Sequence, residues 1–219
     1  MGDQTVPDAL LGCWRRNWIR FGDSDSGLGD PDSRVTVIWL QTASGMGDLR
    51  IDPDQQPEET DSSCGITVVE NTSPLVTADW QDGPTGFAQQ AVSNFPEKGW
   101  LDWDSPTIMR ELAPSGAYVE EWQKLPGSSG EITHLTAPDA PTLTNLYIAG
   151  RHYFLALQAA PSSAEIPLHQ FSYGVRPDLE APVSVQLSTV SEVVGTSMNL
   201  DFDWVTVSHM STDGGPDRE

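Results

Sequence analysis

Five residues on strand-like segments have the side chains for proton transfer: Asp48, Arg50, Glu111, Tyr118 and Glu120. Asp48 and Arg50 lie two positions apart, as do Tyr118 and Glu120, and residues at that spacing in an extended chain share a face. Burial drives a carboxyl toward its protonated form, whereas a neighbouring arginine favours the charged form, so such a group separates an acid from a base near neutral pH. That suffices for cofactor-independent isomerisation, epoxide opening, elimination or cyclisation, with Tyr or Arg stabilising a developing oxyanion.

Apolar and amphipathic residues accompany them. Trp18, Trp39, Gln41, Trp122, His152 and Phe154 are expected to line a ligand cavity, apolar walls with a few convergent polar groups. If Trp14 points inward, strict alternation carries Arg16, Trp18 and Arg20 inward too; Trp39 shares a face with Val37 and Gln41, and Trp122 with Tyr118 and Glu120. The competing arrangement is structural: these faces form outer ladders of cross-strand pairs, or an arginine stacked on Trp14. A buried unpaired charge costs several kcal/mol, so an inward-facing set implies pairing or use.

The elements that must position these residues are strands. Segments rich in β-branched and aromatic residues recur near Cys13–Phe21, Arg34–Thr42, Gly47–Ile51, Gly65–Glu70, Val76–Trp80, Thr107–Leu112, Ala117–Lys124, Glu131–Thr136, Asn145–Leu157, His169–Tyr173, Val183–Val190 and Met198–Met210, separated by Gly, Pro, Asp, Asn and Ser clusters. Helical spacing is confined to a turn at Val6–Leu11 and to Thr85–Phe95. The acidic stretches Asp23–Asp32 and Asp52–Ser63 read as loops. Many sequential antiparallel strands are best accommodated in a closed sheet, which removes its own edges. The expectation is an all-β chain: one antiparallel up-and-down barrel over residues 1–210 with one or two short helices, and a frayed tail over 211–219.

The first strand opens on Gly12-Cys13-Trp14-Arg15-Arg16, followed by Trp39-Leu40-Gln41-Thr42, Asp48-Leu49-Arg50 and Tyr118-Val119-Glu120-Glu121-Trp122. Over roughly residues 10–160 this set resembles small bacterial proteins of the calycin (lipocalin-like) superfamily. The resemblance implies a barrel with Trp14 closing one end and an arginine packed over it, and no particular reaction. Asp79–Asp104 departs from that family in lacking a His-Arg stretch. In one calycin relative, nitrobindin, a histidine holds haem inside the barrel, and His152 is the counterpart to consider here; the expectation is otherwise no cofactor and no metal, the four histidines showing no metal-ligand spacing.

A net charge of -21, from 32 acidic and 11 basic residues, excludes nucleic acid and anionic membranes as partners, since both would be repelled. No apolar run reaches the roughly 20 residues that span a bilayer, and the first residues lack a signal peptide's basic and apolar regions. The expected setting is therefore cytoplasmic, with Cys13 and Cys64 as buried thiols. The expected partner is a small apolar molecule, bound by a monomer or homodimer that acts on it by acid–base chemistry. The alternative is a non-catalytic carrier or sensor of an apolar ligand or haem.

Overall fold

The structure is a computed structural model describing residues 5–23, 27–72, 75–89, 97–160, 168–178 and 180–207. Its strands, in chain order, are β1 (Gly12–Asp23), β2 (Gly27–Leu28), β3 (Thr36–Gln41), β4 (Met46–Ile51), β5 (Ser63–Thr72), β6 (Leu75–Gln81), β7 (Phe87–Ala88), β8 (Gly99–Ser105), β9 (Ile108–Leu112) and β10 (Tyr118–Lys124). They continue as β11 (Ile132–Thr136), β12 (Thr144–Ala149), β13 (His152–Leu157), β14 (Gln170–Val175), β15 (Ser184–Ser188) and β16 (Val205–Thr206).

Eight of these form the expected closed antiparallel barrel, in the order β10-β9-β8-β6-β5-β4-β3-β1, with β1 pairing back onto β10. Closure depends on the length of β1. Gly12 to Arg15 pair with β3, and Trp14 to Phe21 pair with β10, so one twelve-residue strand serves both neighbours. Full closure leaves the barrel without free edges.

Alternation divides β1, β3, β4 and β5 between two cores. Trp14, Val37, Trp39, Met46, Val69, Ala78, Leu101, Met109 and Trp122 cluster inside the barrel, where Val6 and Leu10 of the N-terminal turn join them. The Trp14 indole N–H donates to the Leu10 carbonyl at 2.8 Å, fixing this turn over one end. The cation above the Trp14 ring is Lys124, with Nζ 4.7 Å from its centroid; Arg16, the expected stacking partner, reaches into the barrel instead.

The opposite faces of β1, β3, β4 and β5 carry Cys13, Ile38, Leu40, Leu49 and Cys64, which pack against Tyr147, Ala149, Phe154, Ala156, Phe171 and Tyr173 of a second sheet. That sheet runs β15-β14-β13-β12-β11-β16. β12 and β13 are rich in apolar residues on both faces, with β12 buried throughout, because both of their faces are covered. Leu146, Ile148, Tyr153 and Leu155 on the far face are covered by Val183, Val185 and Met198. Cys13 and Cys64 are free thiols, both fully buried.

Several details differ from the reading of the sequence. Of the strand expected over Met198–Met210, only Val205–Thr206 forms one among the described residues. The Asn145–Leu157 stretch is a hairpin, folded at Gly150, whose φ of +58° suits glycine. Gly99–Ser105 adds a strand. The turn expected at Val6–Leu11 is present, with Leu10 N–H bonding Pro7 O, whereas the expected helix at Thr85–Phe95 does not form over its described residues: Phe87–Ala88 pairs with Ser63–Cys64, which carries Phe87 into the core between the sheets. Residues 90–96 of the second segment, and the expected tail, lie outside the described residues. Among the described residues helix is limited to the 3-10 turns Pro57–Glu59 and Ser191–Val193, and none is long and apolar enough to cross a membrane.

Candidate functional site

At the end of the barrel where β6 and β9 finish and β10 begins, the interior opens as a cavity of about 520 Å³. Trp39, Met46 and Trp122 line its deeper part; Asp48, Arg50, Glu111, Tyr118 and Glu120 stand around it; and Asp61, Asp79, Trp80, Asp82 and Glu97 form the approach. Trp39 meets Trp80 and Trp122 edge to face, with centroids 5.8 and 5.5 Å apart, an arrangement that holds three indoles as one rigid wall.

The five candidate proton-transfer residues are therefore brought together. On β4, Met46, Asp48 and Arg50 share the inward parity while Gly47 and Leu49 face the second sheet. Arg50 binds Asp48 through two contacts, Nε to Oδ1 at 2.9 Å and Nη2 to Oδ2 at 3.4 Å. On β10, Tyr118, Glu120 and Trp122 face inward, with Glu120 accepting from Arg16 Nη1 at 2.6 Å. Glu111 of β9 lies directly opposite Glu120 in the ladder, and its Oε1 accepts the Tyr118 hydroxyl at 2.9 Å.

Two buried carboxyls facing each other across a strand pair cannot both ionise without a large penalty, and the arginine partner decides which one does. Arg16 lies on Glu120. Burial, then the Glu120 charge, push Glu111 up to about 8, against the opposing effects of the Tyr118 hydrogen bond and Arg50. Burial and Glu111 also raise Tyr118 well above the ordinary phenol range, so its hydroxyl stays protonated and donates. Arg50 stays charged despite its burial because Asp48, Glu120 and Asp61 surround it. Gly99 makes room for this arrangement: a methyl group there would sit 2.6 Å from Trp80 Cη2 and 2.9 Å from Glu111 Cγ.

The expected ligand-lining residues divide into two groups. Trp39 and Trp122 line the cavity. Gln41 faces inward but lies beneath it: its Oε1 accepts from Thr67 Oγ1 at 2.6 Å and Trp39 Nε1 at 3.2 Å, and its amide donates to the Thr42 and Gly45 carbonyls. Trp18 points outward, because the ladder slips between Arg16 and Trp18 and the extra residue, Asn17, reverses the parity beyond it. Its ring carries Arg20 at 5.1 Å, and Ile19 takes the inward position opposite Glu120. Phe154 belongs to the core between the sheets. His152 also lies on β13, away from the cavity: Nε2–H donates to Pro126 O at 3.0 Å and Nδ1 accepts the Tyr173 hydroxyl at 2.8 Å, so neither ring nitrogen is available to haem iron. Burial holds this imidazole below its ordinary pKa, consistent with the neutral form.

Several lining residues were not singled out from the sequence. Trp80 was accessible, since it shares parity with Ala78 on a recognised strand. Asp61, Asp82 and Glu97 lie in loops, where alternation gives no direction, and His169 approaches from the second sheet. No group of three or more His, Cys, Asp or Glu residues among those described has metal-holding geometry.

No protein-family model and no curated protein matches the chain. Among solved structures it is similar to the crystal structure of the uncharacterized protein YLR301w from Saccharomyces cerevisiae, with a TM-score of 0.58 and 15% sequence identity, over 91% of this chain and 99% of that one. At that identity the likeness is one of fold alone.

Proposed function

We propose that the barrel is a cofactor-independent acid–base enzyme acting on a small molecule with a substantial apolar body, an isomerase, lyase or cyclase. The observation that carries this reading is the Glu111 carboxyl, held protonated near neutral pH inside a 520 Å³ cavity and directly opposite the arginine-paired Glu120. Glu111 is the proton donor, Tyr118 orients it and steadies developing negative charge, and Glu120 or Asp48 receives the proton. The tryptophan wall supplies apolar contact area for the substrate body.

The test uses an epoxide, styrene oxide, and a β,γ-unsaturated ketone as probes of ring opening and isomerisation. Acceleration of either by the wild type, falling as pH rises through about 8 and reduced about a hundredfold or more in Glu111→Gln, is the expected result. Equal rates in the two proteins would sink the assignment. The same tryptophan wall supports a second reading, a non-catalytic carrier. Recovery of a bound guest unchanged, with no turnover by the wild type, would select it.

A further inference from the structure

The second sheet gives the cavity wall two residues, Gln158 just after β13 and His169 just before β14. His169 is closely held. Its backbone N–H donates to Gln89 Oε1 at 2.9 Å, and its carbonyl accepts from Thr189 Oγ1 at 2.8 Å. The Gln89 backbone N–H in turn donates to Ser62 O beside β5, so barrel and second sheet together fix this residue. The ring meets Phe87 and Phe171 edge to face, with centroids 5.2 and 6.4 Å away.

Its tautomer is set by a backbone amide. The Ala159 N–H donates to His169 Nδ1 at 2.9 Å, and an amide N–H can only donate, so Nδ1 is bare and the neutral ring carries its proton on Nε2. A second proton would have to displace that amide, and partial burial also holds the imidazole below its ordinary pKa. The Nε2–H donor is unspent: it has no hydrogen-bond partner among the described residues and is not among the buried polar atoms closed off from solvent. Gln89, Thr189 and Ala159, the partners of the backbone and of Nδ1, all lie outside the cavity lining, which leaves the Nε2 edge of the ring as the part turned to the cavity. An N–H donor already fixed in position and tautomer binds an acceptor without the cost of ordering a side chain.

We infer that His169 is a ligand-binding residue of this cavity, and that the guest is an uncharged carbonyl compound, a ketone, ester or amide, whose oxygen accepts the Nε2–H bond. An ammonium group would set N–H against N–H, and a carboxylate would have to pass Asp79 and Asp82 at the approach. Among uncharged oxygens a carbonyl is the strong acceptor. This rests on the cavity being the binding site proposed above, and it gives the second sheet a part in recognition, with the barrel supplying the carboxyl groups and the indole wall.

The test uses two probes of one shape, acetophenone and α-methylstyrene, in which a =CH2 group replaces the carbonyl oxygen, titrated into the 15N-labelled full chain near neutral pH and followed by NMR. Long-range 1H–15N correlations should show the His169 proton on Nε2, and acetophenone, not α-methylstyrene, should shift that nitrogen. His169→Phe keeps the ring packing and removes the donor; it should weaken acetophenone about fivefold or more and leave α-methylstyrene within about twofold. His169→Gln restores an N–H donor and should recover part of the acetophenone affinity. A proton on Nδ1, an Nε2 resonance unmoved by saturating acetophenone, no acetophenone binding at about 10 mM, or equal effects of His169→Phe on the two probes would each overturn the inference. The spectrum of the wild type decides even where a variant fails to fold. Because no readout needs turnover, and Glu111→Gln should leave the Nε2 shift in place, failure of the Glu111 chemistry and failure of this contact are told apart.

Discussion

Glu111 and Glu120 stand directly opposite each other on β9 and β10, 5% and 3% exposed, and of the two only Glu120 forms an ion pair among the described residues. A directly opposed pair brings side-chain origins to within about 5 Å, where like charges are strongly unfavourable in a low-dielectric interior. The asymmetry is built by β1: Arg16 lies just before the bulge, with its parity still inward, and places its guanidinium on Glu120. Glu111 is left to hold a proton.

That proton makes stability depend on pH in a defined direction. The folded carboxyl titrates at about 8, above the ordinary glutamate value, so between the two the folded protein retains a proton the unfolded chain has released, and stability declines as pH rises. The melting temperature is expected to fall by several degrees from about pH 5 to about pH 9, and Glu111→Gln to flatten the decline. A wild-type profile that rises over this range, or a mutant profile that keeps the slope, would contradict the assignment.

The Arg16–Glu120 pair predicts a strongly non-additive cycle. Arg16→Met leaves an unpaired carboxylate in the barrel and should cost about 3–5 kcal/mol by urea unfolding, with Glu120→Gln also destabilising because it strands the guanidinium. The double variant should recover much of the loss. Additive losses would show that the two side chains are not coupled as the 2.6 Å contact implies.

Parity made much of this site legible in the sequence. Asp48 with Arg50, and Tyr118 with Glu120 and Trp122, reach one cavity because their strands are regular and two-residue periodicity survives along them. It failed where one residue was added. Arg16 and Trp18 share a parity in sequence, but Asn17 bulges and sends Trp18 outward. The apolar sequence of β13 also misled, since a strand covered on both faces resembles one lining a barrel; His152 and Phe154 therefore serve the contact between sheets. The closed barrel itself was readable from strand spacing, whereas the separate sheet formed by β11 to β16 was not, because alternation records burial and not the identity of the covering surface.

The bulge yields a comparison of two tryptophans on adjoining strands. Trp18→Ala should cost about 1 kcal/mol, the loss of a partly exposed ring and its contact with Arg20, and leave ligand affinity unchanged. Trp122→Ala should cost about 3–5 kcal/mol and weaken binding, since it empties part of the tryptophan wall. Equal effects of the two on ligand titration would mean that Trp18 reaches the cavity after all.

Between barrel and second sheet, Gly47 and Phe154 set how closely the layers approach. A methyl group on Gly47 would lie 2.7 Å from Phe154 Cγ, and the ring is fully buried, so neither side can yield without moving a strand. Gly47→Ala should therefore cost about 1–3 kcal/mol. Phe154→Ala should cost about 3–5 kcal/mol for the opposite reason, the cavity it leaves between the sheets. In a Phe154→Leu background the narrower side chain should accept the added methyl, making Gly47→Ala less harmful there than in the wild type; chemical denaturation of the four proteins measures that coupling. An equal penalty in both backgrounds would place the strain elsewhere, in the β4 backbone rather than against the ring.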